Sequence, residues 1–154
     1  MRRVSATVTV PGRAAEAEAL WYDPDRWPAW VDGFGHVVKL EGDWPGVGSR
    51  LVWDSPPRGR GRVVERVTAY RPREGQVLDV EDERLMGTQS VAFEPAGEAV
   101  RVTLSLEYGL KERNPLTPLI DPLFVRRALR ASLRRTLTRF AHERRAEIEL
   151  GLTR

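Results

Sequence analysis

Val4, Ala6, Val8 and Val10 alternate with Ser5, Thr7 and Thr9 before Pro11, and this period of two predicts a strand with one apolar face that ends at the proline. Residues 13–21 are rich in alanine and glutamate and predict a short helix. Asp23-Pro24 then supplies an N-cap and a first-turn proline for a second short helix running towards Trp30. From Val37 the period returns to two, predicting strands at residues 37–41, 49–54, 60–70, 76–81, 88–94 and 100–108, separated by turn signals such as Pro45-Gly46, Pro56-Pro57 and Pro95-Ala96-Gly97. Consecutive strands on short connections make an antiparallel meander. After Asn114-Pro115 the period becomes helical. No glycine occurs from about Pro118 to Leu150, and Leu129, Leu133, Leu137 and Ala141 recur every fourth residue with Phe140 widening the stripe. This predicts a helix of about 30 residues, with Asp121-Pro122 as the place where it could break.

A long helix with one apolar stripe and a curved sheet with one apolar face have to bury those surfaces on each other. The expected architecture is α+β: a curved antiparallel sheet of about seven strands gripping a long C-terminal helix, with two short helices as a lid. The sheet is wider than a helix of about 10 Å diameter, so concave surface is left over and a cavity between sheet, helix and lid is the default binding site.

Composition narrows this picture. With 154 residues, 41% of them hydrophobic, the chain is expected to be one soluble domain, residues 1–154, with a sizeable core. It has no cysteine, which excludes a thiol nucleophile, a disulfide framework and cysteine-based metal sites. No signal-peptide-like run opens the chain and no apolar run approaches the roughly 20 residues of a membrane span, so a cytoplasmic location is expected. All but Lys39 and Lys111 of the 25 basic residues are arginine, and a net charge of +3 is too small to imply a nucleic acid partner.

Several words along the chain resemble the START-like or SRPBCC superfamily, and within it the polyketide cyclase/dehydrase-like group. They are Val8-Thr9-Val10-Pro11 leading into an alanine-rich helix, Asp23-Pro24-Asp25-Arg26-Trp27-Pro28-Ala29-Trp30, Pro45-Gly46-Val47-Gly48-Ser49-Arg50, and Glu65-Arg66-Val67-Thr68-Ala69-Tyr70-Arg71-Pro72. Phe93-Glu94-Pro95 before a final strand and a long arginine-rich helix complete the likeness, which spans nearly the whole chain. The resemblance implies a helix-grip fold and a hydrophobic ligand. It carries over no catalytic residue, since its members range from aromatase/cyclases to lipid and sterol carriers.

Candidate residues therefore come from strand phase. If Val63 and Val67 face inward so does Glu65; Val91 and Phe93 bring Gln89 with them, and Val102, Leu104 and Leu106 bring Tyr108. A carboxyl group in an apolar cavity has a raised pKa and needs a partner, which suits Glu65 to anchoring a ligand hydroxyl or to acid/base work, with Tyr108 as a second proton donor. The bland alternatives are an Arg50 or Arg62 partner for Glu65, or a bulge that turns it outward, and a rim position for Tyr108. Trp30 at the end of the lid, Trp53 in phase with Leu51, and Leu133 on the helix stripe are expected to line the cavity.

His36 and His142 are too far apart in sequence for a metal site, and the run Asp79, Glu81, Asp82, Glu83 reads as a solvated face rather than a calcium loop. No phosphate-binding glycine motif occurs, so neither metal nor cofactor is expected. The last helix carries Arg126, Arg127, Arg130, Arg134, Arg135, Arg139, Arg144 and Arg145, with no acid in residues 126–140. This is read as a solvated arginine face, with docking on an anionic membrane or partner as the alternative. The leading functional expectation is a carrier or binding protein for an aromatic, polyketide-like or lipid-like molecule. The alternatives are a cyclase/dehydratase-type enzyme using the same cavity and, more weakly, an interaction module using the arginine face.

Overall fold

The computed structural model describes residues 1–111 and 121–151. In chain order the elements are β1 (Arg2–Pro11), α1 (Ala14–Trp21), a 3₁₀ turn (Pro24–Arg26), α2 (Trp27–Trp30), β2 (His36–Glu41), β3 (Arg50–Asp54), β4 (Arg62–Arg71), β5 (Gly75–Glu81), β6 (Leu85–Ala96), β7 (Ala99–Leu110) and α3 (Pro122–Glu149). The seven strands form one sheet in the order β1-β7-β6-β5-β4-β3-β2, with every pair antiparallel. The meander β2 to β7 is thus completed by β1, whose register sets Val4 against Leu106, Val8 against Val102 and Val10 against Val100 on the inner face. The long helix packs on that face: Leu133, Leu137, Phe140 and Ala141 are buried, and Phe140 has no exposed surface.

Two devices curve the sheet. Register shifts interrupt the β2–β3 and β4–β5 ladders, and such bulges bend and twist the strand that carries them. Gly87 on β6, opposite Val80 and Tyr108, permits a close strand approach, because a Cβ there would run into the Glu107 carbonyl oxygen and stand 2.9 Å from the Tyr108 Cα.

The Asp121-Pro122 pair starts α3 rather than breaking it. Asp121 Oδ1 accepts from the Leu123 N–H at 2.9 Å and Pro122 occupies the first helical turn, where its missing N–H is no loss. The expected start near Pro118 and the Asn114-Pro115 break lie outside the described residues. The second short helix is a 3₁₀ turn followed by one turn of α-helix, with Asp23 as cap of the former through its bond from Asp25 N–H.

Arg144 corrects the expected arginine face. It is not solvated: 1% of its side chain is exposed, and it pairs with Glu16 of α1 at 3.1 Å and Glu147 at 3.6 Å. The spacing that brings Leu137 and Ala141 onto the core side brings Arg144 there too, three residues on. Glu147 and Glu143 also hold Arg26 at 3.3 and 3.0 Å. Gly12 makes room for this cluster: its φ is +103°, and a Cβ would lie 2.5 Å from Arg144 Nη2. Asp82 is a second correction to the reading of exposed charges. It is buried, accepts from the backbone N–H groups of Arg84 and Leu85 at 2.8 and 3.0 Å, and binds Arg60 Nε at 2.8 Å.

Among the described residues no helix is long and apolar enough to cross a membrane, and no group of three or more His, Asp or Glu side chains could hold a metal ion.

Candidate functional site

A cavity of about 100 Å³ lies between the sheet, the lid helices and α3. Its aromatic walls come from Trp21, Trp27 and Trp30 of the lid, Phe34 and Trp44 of the loops, and Trp53 of β3; Leu133 and Thr136 of α3 close it from the other side. Polar groups enter from the sheet, namely Glu65 on β4, Gln76 on β5 and Gln89 on β6. Drug-sized ligands occupy roughly 300–1,000 Å³, so this space as it stands takes a single small ring or a few waters. A longer chain requires the lid to move.

Glu65 has the most unusual setting. Strand phase directs it inward between Val63 and Val67, opposite Leu51 and Val80 on the neighbouring strands, and the β4 bulge falls beyond it, between Val67 and Ala69. Its carboxyl lies deep among protein atoms, and what accessible surface it keeps faces the cavity. Burial pushes its pKa above the usual carboxylate range, against the smaller opposing effects of the Arg60 charge and of the Trp53 indole N–H, which donates to it. The arginines expected to neutralise it are committed elsewhere, Arg62 to Asp54 at 2.9 Å and Arg50 to Glu41 at 3.8 Å. Arg60, the cation that does reach this region, stacks over the Trp53 ring at 5.5 Å and is fixed by Asp82.

The raised pKa has a measurable consequence. A carboxyl group that holds its proton more tightly when folded contributes stability below its unfolded pKa of about 4.5 and loses that contribution as the pH climbs through its higher folded value. Glu65→Gln removes the titration while keeping the shape. The stability of the variant relative to the native chain is expected to rise with pH above about 4.5, read from urea midpoints at pH 4 to 8. A difference independent of pH would place the Glu65 carboxyl in water.

The mouth of the cavity is pinned at Asp32, just after α2. Its carboxylate accepts from Ser132 Oγ at 2.7 Å, from Arg135 at 3.0 and 3.1 Å and from Arg139 at 3.3 Å, while its own N–H donates to Thr136 Oγ1 at 3.0 Å. Burial alone would raise its pKa, but the Arg135 and Ser132 hydrogen bonds outweigh that and hold it below the usual range. Two more arginines of the expected solvated face thus clamp the lid to α3.

Of the residues singled out from sequence, Trp30, Trp53, Glu65, Gln89 and Leu133 all border this cavity. Trp30 does so from within the core, tilted against Trp21 at 4.6 Å and edge-on to Phe140 at 5.0 Å, with its indole nitrogen buried and without a hydrogen-bond partner among the described residues. Tyr108 is not brought to it. It faces inward and is buried, but lies on the row Glu65–Val80–Gly87–Tyr108, three strand spacings or about 14 Å from Glu65. It borders a separate hollow of about 290 Å³ beside Met1, Leu110 and Val125. The sequence reading missed Arg60 and Asp82 as supports of the site. Asp82 was findable, because an aspartate two residues before a backbone N–H in a short strand connection is an Asx-turn signal.

A sequence-family model described as polyketide cyclase / dehydrase and lipid transport matches residues 1–144. No curated protein sequence matches the chain. Among solved structures, a START superfamily protein from Mycobacterium smegmatis superposes with a TM-score of 0.73 at 16% identity, covering 94% of this chain and 97% of the other. The protein TTHA0849 from Thermus thermophilus has the same TM-score at 19% identity, covering 94% and 98%. DynU16, a protein of the dynemicin biosynthetic locus, gives a TM-score of 0.66 at 20% identity. The present chain is covered to 97% in that last comparison but spans only 48% of DynU16. At these identities the structures share the fold.

Proposed function

Because the chain belongs to the polyketide cyclase / dehydrase and lipid transport family, we propose that it binds a small, largely apolar, ring-containing molecule between the sheet and α3, as a carrier or binding protein. The observation that carries this reading is the Glu65 carboxyl, desolvated in an aromatic cavity with one indole N–H directed at it. Such a group has hydrogen-bonding capacity left over and favours a ligand that brings a hydroxyl or similar polar group to it. Gln89 borders the same space with an amide that has no side-chain partner among the described residues, and offers a second polar contact. The surrounding indole and phenyl faces suit a planar molecule.

A cyclase/dehydratase reading draws on the same carboxyl, whose raised pKa is that of an acid/base group. The carrier reading is favoured because Tyr108, the proposed second proton donor, borders a different hollow.

An apolar fluorescent probe is expected to enter the cavity and quench tryptophan emission. Trp53→Ala should weaken its binding about two- to tenfold, in line with the loss of one aromatic contact worth about 0.5–1.5 kcal/mol. Native mass spectrometry of the purified protein should show a bound small molecule. Glu65→Gln separates the two readings, since a carrier keeps most of its affinity whereas an enzyme loses turnover. No quenching and no bound molecule would overturn both.

A further inference from the structure

The first turns of α3 carry large apolar side chains that stay exposed. Val125 and Leu129 pack against the core, yet Leu123 and Phe124, on the same helix, are 61% and 67% exposed. Leu123, Arg127, Arg130 and Arg134 recur at i, i+4, i+7 and i+11, a spacing that sets them in one line along the helix. Arg135 and Arg139 are taken by Asp32, and Arg144 by Glu16 and Glu147, but Arg127, Arg130 and Arg134 have no ion-pair partner among the described residues. No acidic residue occurs in α3 before Glu143. The apolar surface continues across the end of the sheet, where exposed Met1 and half-exposed Leu110 border the second hollow beside Val125.

We propose that this end of α3 docks on an anionic lipid bilayer, with Leu123 and Phe124 entering the headgroup boundary and Arg127, Arg130 and Arg134 lying along the lipid phosphates. Charge complementarity selects the occupant. A row of guanidinium groups with no ion-pair partner among the described residues favours anions, and bulky exposed apolar side chains at the head of that row favour an apolar phase beside them. A bilayer of acidic lipids presents both, whereas a nucleic acid backbone offers the anions alone. The inference is independent of what the cavity holds.

The test is co-sedimentation of the full chain with phosphatidylcholine vesicles containing about one-third phosphatidylglycerol, and with pure phosphatidylcholine, at about 0.1 M and about 1 M salt. The protein is expected to sediment with the acidic vesicles at low salt, and neither with neutral vesicles nor at high salt. Each arginine near an acidic membrane is worth roughly a fivefold change in partitioning, so Arg127→Gln/Arg130→Gln/Arg134→Gln should lower it about 100-fold. Leu123→Ser/Phe124→Ser should lower it too, with unchanged circular dichroism and unchanged probe quenching in the cavity as the control for folding. Failure to sediment with acidic vesicles, or equal partitioning of either variant, overturns the proposal. So does sedimentation-velocity evidence that the native chain is a dimer which Leu123→Ser/Phe124→Ser dissociates, because a second copy then covers the patch.

Discussion

Phe140→Ala is expected to destabilise the fold by about 3–5 kcal/mol, seen as a lower denaturant midpoint with little change in slope. Phe140 has no exposed surface and stands edge-on to Trp21 and Trp30, with ring centroids 5.1 and 5.0 Å away. Truncation therefore opens a void where α3, α1 and α2 meet. Leu133→Ala, two turns away on the same helix stripe, is expected to cost less, nearer about 2 kcal/mol, because Leu133 borders the cavity and has fewer packing contacts to lose. Equal losses at the two positions would mean that the cavity wall is packed as tightly as the core.

Arg144→Met is expected to cost about 3 kcal/mol, the low end of the usual effect of removing one partner of a buried ion pair, because the carboxylates it leaves keep other partners. The group that loses most is Glu16, which keeps only the exposed Arg13 side chain at 3.5 Å and the Arg13 N–H at 2.9 Å, whereas Glu147 retains Arg26. Glu16→Gln in the Arg144→Met background should recover part of the loss by removing the half-buried charge that has lost its closest cation, and the coupling energy of that double-mutant cycle measures the pair. The effect also has a pH signature. The Arg13 N–H bond, opposed by burial and helped by the Arg144 charge, keeps the folded Glu16 pKa below the ordinary value of 4.5. Its contribution is present above about pH 4.5 and disappears as the pH falls through the lower folded value, so the native chain and Arg144→Met should converge in acid. A gap that persists unchanged at low pH would show that the loss comes from packing alone.

The inner faces were legible residue by residue. A strand allows only two faces, so Val63 and Val67 carry Glu65 with them, and Val91 carries Gln89; the structure places both polar groups at the cavity. The same argument set Tyr108 inward correctly and still misjudged its neighbours, because phase names a face and says nothing of the position along a row that runs across four strands. The reading of Arg144 as solvated failed for a related reason. Its spacing from Leu137 and Ala141 marks the buried side, but charge alone suggested solvent, and the carboxylates that offset the cost of burial include Glu16, from an element more than a hundred residues earlier.

Alternation, turn residues and the glycine-free stripe of the last helix thus determined by themselves the order of elements, the face each one buries and the polar groups among those faces. These are properties of local geometry, with periods of 2 and 3.6 residues. The tertiary structure decided which charges meet: Arg60 with Asp82 over Trp53, Arg135 and Arg139 on Asp32, Arg144 on Glu16. It also decided how little space remains between the aromatic walls. Ion pairing and cavity volume depend on distances between side chains far apart in sequence, set by sheet curvature and by the close packing of the lid on α3, and no local period encodes them.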